Sequence, residues 1–138
     1  MATHSADTMQ RKTRQRAAIW RAIQAAKRPL SPSEVLEQAR LAVRATGIAT
    51  VYRTLKLLVA EGSVHAISLP GEAPRYEAAK LKHHHHFQCT SCQRIYDVAG
   101  CPGNLRRLAP RGFTVVDHDL TLYGRCSDCG KRQLRITR

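Results

Sequence analysis

Apolar residues at Ala17, Ile19, Trp20 and Ile23 recur at helical spacing and predict a first amphipathic helix that ends near Ala26, closed by Pro29. Residues 1 to about 9 carry no apolar stripe and read as a polar arm leading into Arg11-Lys12-Thr13-Arg14-Gln15-Arg16. Ser31-Pro32-Ser33-Glu34 has the form of a helix start, with Ser31 as N-cap, proline in the first turn and Glu34 completing a capping box. That second helix is expected to bury Val35, Leu36 and Ala39. Beyond Gly47, apolar positions at 48, 51, 55, 58 and 59 predict a third amphipathic helix with Gly62 as its C-cap. Thr50, Tyr52, Arg53 and Thr54 are expected on its face away from the core. Val64 to Leu69, a turn at Pro70-Gly71, and Arg75 to Ala78 read as a hairpin. Three helices followed by a hairpin is the order of a winged helix-turn-helix.

Around Lys80-Leu81-Lys82 the composition shifts from helix formers to strand residues, His and Cys. The chain therefore divides into a winged-helix domain at 1–79, a hinge at 80–82 and a His- and Cys-rich domain at 83–138. Strands are expected near 84–89, 94–98 and 113–123, with a short helix at about 103–109 bounded by Gly103 and Pro110. The fold class is α+β, with a winged helix followed by a small α/β domain.

The second half carries the chemistry. Cys89-x-x-Cys92 and Cys126-x-x-Cys129 read as two hairpins that place four thiolates at tetrahedral corners. Such an all-sulfur Zn²⁺ shell is structural, because it leaves no open position for a substrate. Cys101 is left over. In the run His83-His84-His85-His86, successive strand side chains alternate faces, so His83 and His85 point one way and His84 and His86 the other. One strand can thus feed two further metal sites.

Lys and Arg number 23 against 10 Asp and Glu, a formal charge of +13 that attracts polyanions and makes double-stranded DNA the leading partner. Paired cysteines at metal spacing argue for reduced thiols over a disulfide scaffold. Without an apolar signal region or a membrane-length apolar run, a cytoplasmic protein is expected, with no membrane partner. No His-Glu-x-x-His helix and no general base beside an open metal is found, so neither an enzyme nor a small-molecule substrate is expected.

The chain resembles the ferric uptake regulator (Fur) superfamily of bacterial metal-dependent repressors. The resemblance is carried by Ile48-Ala49-Thr50-Val51-Tyr52-Arg53-Thr54-Leu55, Tyr76-Glu77, His83 to Cys92 and Leu122 to Cys129. It implies a winged-helix DNA-binding domain and a C-terminal domain that forms a homodimer through its sheet. It also implies that Cys89, Cys92, Cys126 and Cys129 hold structural zinc. His84 and His86 would lie in a regulatory hinge site with Glu77, and His65 matches a ligand position of zinc uptake regulators (Zur). His83, His85 and His118 match a third site whose fourth ligand is usually Glu and here is Cys101.

Two departures bear on the metal. Pro29 stands where iron and peroxide sensors often carry a hinge histidine, and Ala79 where many zinc sensors place a cysteine. A thiolate with three imidazoles suits Zn²⁺, Cu or Co better than Mn²⁺ or Mg²⁺. The expectation is a zinc-responsive repressor that binds inverted-repeat operators, with Zn²⁺ as corepressor. Tyr52, Arg53, Thr50 and Thr54, with Arg11, Lys12, Arg14 and Arg16, are the candidate DNA contacts. The alternatives are an iron (Fe²⁺), manganese (Mn²⁺) or peroxide sensor of the same superfamily, and, from another class, a zinc enzyme.

Overall fold

The computed structural model describes residues 3–79 and 82–136. The chain forms two compact units, Met1–Lys80 and Leu81–Arg138. Most of the hinge expected at 80–82 falls on Lys80 and Leu81, outside the described residues, as do Met1 and Ala2 of the expected arm. Among the described residues no helix is long and apolar enough to cross a membrane.

The first unit runs α1 (Thr3–Ala26), α2 (Pro32–Ala42), α3 (Ile48–Ala60), β1 (Val64–Ile67) and β2 (Arg75–Ala78). Helix α1 starts at Thr3, so the described part of the expected polar arm is helical. No Gly or Pro precedes Pro29, and a helix anchored by its buried end propagates backwards at little cost once nucleated. The anchored face is Gln15, Ala18, Ile19 and Ile23, whereas Ala17 and Trp20 are half-buried. Lys27 takes a left-handed φ of 51° and ends the helix two residues before Pro29.

Helix α2 opens on the capping box: Ser31 Oγ accepts the Glu34 amide at 3.2 Å, and Glu34 Oε1 accepts the Ser31 amide at 3.2 Å. The other Glu34 oxygen receives the Arg28 guanidinium, and Arg75 from β2 bridges to Oε1 at 3.2 Å. Leu30 then pairs with Tyr76 as an isolated antiparallel bridge, which ties the α1–α2 connection to the hairpin.

Helix α3 buries Val51, Thr54, Leu55 and Leu58, an i, i+3, i+4, i+7 stripe. Thr54 is only 6% exposed, which corrects its expected place on the outer face: its spacing to Val51 and Leu58 turns it inward. Ile48 and Val59, counted as core-facing from the sequence, are exposed at 41% and 38%. The helix caps at Glu61, and Gly62 follows at φ +77°, a conformation in which a Cβ would be strained. Ile19, Leu30, Val35, Val51, Leu55 and Val64 close the core, each burial contributing about 1.5–3 kcal/mol in area terms.

In the second unit β3 (His85–Cys89) is central. It pairs antiparallel with β4 (Ile95–Val98) and parallel with β5 (Thr121–Gly124), giving the order β4-β3-β5. The strand expected over 113–123 shortens to four residues, since Phe113 to Leu120 runs without regular structure after Gly112 at φ +85°. The expected short helix is a 3₁₀ turn at Leu105–Leu108, its first free amide taken by the Asn104 side chain at 3.1 Å.

A further helix, α4 (Ser127–Ile136), begins inside the second cysteine pair. That pair is therefore a helix start and not a hairpin: the Gly130 amide donates to the Cys126 carbonyl at 2.9 Å, which is a helical turn. The buried set of this unit is Cys89, Ile95, His85, His86 and Gln88. Among the described residues this core holds one aliphatic and several ligand-type side chains, the situation in which a metal staple stabilises a small domain.

Candidate metal centres and nucleic-acid interface

Cys89 ends β3 and Cys92 lies in the turn to β4, where Gln93 takes φ 62° and lets the chain reverse. Cys126 and Cys129 flank the start of α4, and the four sulfurs lie within 4.8 Å of one another. Cys92 Sγ and Cys126 Sγ are 3.9 Å apart. A tetrahedral shell with Zn–S bonds of about 2.3 Å has sulfur–sulfur edges of about 3.8 Å, so the cluster already has the size of a zinc site.

The surroundings favour thiolates at two corners. Cys89 Sγ accepts the amides of Cys126 at 3.3 Å and Cys92 at 3.5 Å, and those bonds, Cys126 first, bring its thiol down to about 6. The Cys129 amide, followed by the Tyr96 hydroxyl, also lowers Cys126. Cys129 behaves oppositely: its hydrogen bond to the Cys126 sulfur, with burial second, pushes it up to about 12. The Cys129 thiolate therefore forms when a cation replaces that proton, and metal loading releases protons.

The His run splits across β3 into two groups. On one face, His83, His85, Cys101 and His118 bring their ligand atoms within 4.8 Å of one another. His83 Nε2 lies 3.3 Å from His118 Nε2, and Cys101 Sγ lies 3.0 Å from the same nitrogen. His85 Nδ1 accepts the Leu120 amide at 3.2 Å, while its Nε2 is buried with no hydrogen-bond partner among the described residues. Burial first, then the nearby His83 and His118, hold this ring below the usual histidine range and hence neutral, the state that ligates metal. Four converging donors, one of them a buried nitrogen without a hydrogen bond, fit a cation.

On the other face, His84 and His86 stack edge-on with ring centroids 4.8 Å apart. Asp97 faces His86 across the β3–β4 ladder, and its Oδ1 lies 3.5 Å from His84 Nε2 and 3.7 Å from His86 Nε2. These contacts are longer than hydrogen bonds. The Lys82 carbonyl, which can only accept, lies 2.7 Å from His84 Nδ1, so Nδ1 carries a proton and Nε2 is the ring nitrogen directed at Asp97. Two imidazoles and a carboxylate aimed at one point also fit a cation.

His65 and Glu77, the remaining expected hinge ligands, belong to the first unit. They are direct partners in the β1–β2 ladder and so share one face of the hairpin, His65 exposed and Glu77 buried.

Tyr52, 56% exposed, and Arg53 lie on the outer face of α3, where Arg53 Nη2 donates to Thr50 Oγ1 at 3.4 Å. Arg11, Lys12 and Arg14 are exposed on α1. Arg16 forms a 2.6 Å ion pair with Glu61 at the end of α3.

Two supporting residues lay outside the sequence reading of the sites. Tyr96 acts on the sulfur cluster through Cys126, and burial first, then that bond, raises its own hydroxyl. The Lys82 carbonyl is a backbone group, invisible to residue-type patterns. Tyr96 carries a readable signal only once its register opposite Phe87 is known.

Comparison with known proteins places these features. The profile of the ferric uptake regulator family matches residues 8–123. The zinc uptake regulation protein of Mycobacterium tuberculosis is 32% identical over 122 residues, 86% of this chain and 94% of that protein. The ferric uptake regulation protein of Campylobacter jejuni is 37% identical over 94 residues, 65% of this chain. The chain spans only 59% of that relative's length and 57% of its Campylobacter upsaliensis counterpart. Among solved structures, a zinc-bound manganese uptake regulator superposes with a TM-score of 0.70 at 27% identity, covering 81% of this chain and 87% of that one. The Helicobacter pylori ferric uptake regulator, described as having three functional metal-binding sites, gives 0.67 at 27% identity, covering 84% and 79%. With the matched stretch running through both units, the chain belongs to the ferric uptake regulator family.

Proposed function

We propose that the chain is a zinc-responsive transcriptional repressor that binds inverted-repeat operator DNA as a homodimer. The observation that carries this reading is the donor chemistry of β3. The strand ends on a sulfur cluster and leads in from imidazoles on both faces, joined by the Cys101 sulfur on one and by the Asp97 carboxylate on the other. Sulfur and imidazole donors favour zinc over manganese or magnesium. The similarity to a zinc uptake regulation protein over 94% of that protein's length supports the same metal.

In this reading Cys89, Cys92, Cys126 and Cys129 hold structural zinc. The regulatory site takes His84 and His86 from the second unit and His65 and Glu77 from the first, with Asp97 as a further ligand. Zinc, when bound, supplies a Lewis-acid centre that these neutral imidazoles and carboxylates satisfy together. The ligands favour whichever arrangement of the two units lets all of them bind. Only that difference in affinity shifts the population, and about 5.5 kcal/mol moves a two-state balance from 1:99 to 99:1.

The DNA reading rests on the outer face of α3. Tyr52 suits apolar contact with thymine methyls, and Arg53 reaches a base edge or phosphate. Arg11, Lys12 and Arg14 add backbone attraction along α1, in a chain of formal charge +13. For the dimer, β5 is an edge strand with Leu122 and Tyr123 52% and 56% exposed, an open ladder that a second copy can pair with.

The test is fluorescence anisotropy of a labelled promoter fragment from upstream of a zinc-uptake operon, titrated with protein that keeps its structural zinc. Buffered Zn²⁺ is compared anaerobically with Fe²⁺ and Mn²⁺. A response at far lower free zinc than free iron or manganese is expected. A response to iron or manganese, with no preference for zinc, supports the second reading, an iron or manganese sensor. That reading is favoured by the superposition on a manganese uptake regulator and by the ferric relatives. Equal DNA binding with and without metal removes regulation altogether.

A further inference from the structure

Cys101 stands apart from the other four cysteines and joins three histidines instead. Gly100 and Gly103 at φ +92° and +90° bracket Cys101 and Pro102, conformations that residues with a Cβ rarely adopt. They turn the loop so that Cys101 Sγ reaches 3.0 Å from His118 Nε2. His85 reaches the same group from the central strand, with its Nε2 buried and without a hydrogen bond among the described residues.

We propose that Cys101 is the residue that decides which metal the His83–His85–His118 group takes. Its sulfur makes a tetrahedral site of three nitrogens and one thiolate that selects zinc-class cations and rejects hard, oxygen-seeking ones such as Mn²⁺.

Size and donor type both point this way. A tetrahedral shell with Zn–N bonds of about 2.0–2.1 Å has nitrogen–nitrogen edges of about 3.3–3.4 Å, and His83 Nε2 to His118 Nε2 measures 3.3 Å. Among the described residues no carboxylate oxygen joins these four donor atoms, and the carboxylate is the donor that Mn²⁺ and Mg²⁺ prefer. Cys101 and His83 are exposed, so a cation exchanges here with buffered metal without unfolding the domain. The inference deepens the zinc reading by naming one residue as its selectivity determinant, and rests on that reading only for its biological consequence.

The experiment is anaerobic Co²⁺ titration of the DNA-free protein, with the four-sulfur zinc retained by metal analysis. The readout is the sulfur-to-cobalt charge-transfer band in the near ultraviolet. The hinge ligands contain no sulfur, so this band reports only on Cys101. The expected result is one equivalent of tetrahedral Co²⁺ with that band, displaced by Zn²⁺ but not by Mn²⁺. In Cys101→Ser the band disappears and zinc affinity at this site falls by about 100-fold or more. Cys101→Asp should bind Co²⁺ without the band and lose most of the preference for zinc over manganese. A wild-type protein without the band, or a Cys101→Ser variant that keeps it or keeps its zinc preference, overturns the proposal. Failure of the promoter to respond to zinc in the anisotropy assay, with the band intact, would instead count against the repressor reading alone.

Discussion

Cys92 Sγ and Cys126 Sγ, 34 residues apart in sequence, lie 3.9 Å from each other. The pair joins the β3–β4 turn to the start of α4. Cys92→Ser should therefore lose one equivalent of zinc and the cooperative unfolding of the second unit, because structural metal binding is itself folding free energy. Zinc content and near-ultraviolet circular dichroism check this. The first unit, with its own aliphatic core, should keep its helical signal.

Glu34 holds Arg28, Arg75 and the Ser31 amide at once. Burial alone would raise its carboxyl, but the hydrogen bonds from Arg28 and Ser31 outweigh burial and hold it below the ordinary carboxylate range. Because the folded value lies below the unfolded one, the stabilisation is complete above the ordinary range and is lost as pH falls through the folded value. The stability gap between wild type and Glu34→Gln should thus be widest near neutrality and close as pH falls below the ordinary carboxylate range, as urea midpoints would show. Ser31→Ala, which removes the cap, should cost about 1 kcal/mol at neutral pH.

The outer face of α3 separates DNA contact from packing. Arg53→Ala should weaken operator binding by about 1–3 kcal/mol with an unchanged melting temperature. Thr54→Arg should instead lower the melting temperature, because an inward side chain beside Val51 and Leu58 has no room for a guanidinium. Paired anisotropy and thermal melts distinguish the two. A Thr54→Arg protein with normal stability would place that residue outside the core.

His84 turns its Nε2 toward Asp97, its ring oriented by the Lys82 carbonyl and packed edge-on against His86. His84→Ala should abolish the metal response of DNA binding while leaving a folded dimer, measured by anisotropy and sedimentation. Asp97→Asn, which keeps the shape and removes the charge, should raise the metal concentration needed by about 10–100-fold. A His84→Ala variant that responds normally to metal would remove the hinge site from the proposed mechanism.

The helices of the first unit were legible because their signals are local. The capping box at Ser31 and Glu34, the Gly62 turn and the apolar spacing of 51, 55 and 58 each depend on residues within one or two turns. The sulfur spacing was equally readable, since two Cys-x-x-Cys pairs admit few chemistries. Strand alternation in the four-histidine run also followed from the two-residue period of the backbone.

The rest depended on contacts between distant segments. Thr54 looks polar and outward until the helix is rotated against Ile19 and Val35, and the packing of the whole stripe decides that rotation. Only the fold brings Cys101 within 3.0 Å of His118 and Asp97 opposite His86. Helix α4 escaped notice because Cys126-x-x-Cys129 suits a hairpin and a helix start alike, and the tertiary placement of Cys126 beside Cys92 selects the second. By itself the sequence determined the elements of the first unit and the donor types, through local backbone preference and residue chemistry. Tertiary structure alone decided which donors meet and at what distance, because convergence depends on how strands and helices pack and no single segment encodes that packing.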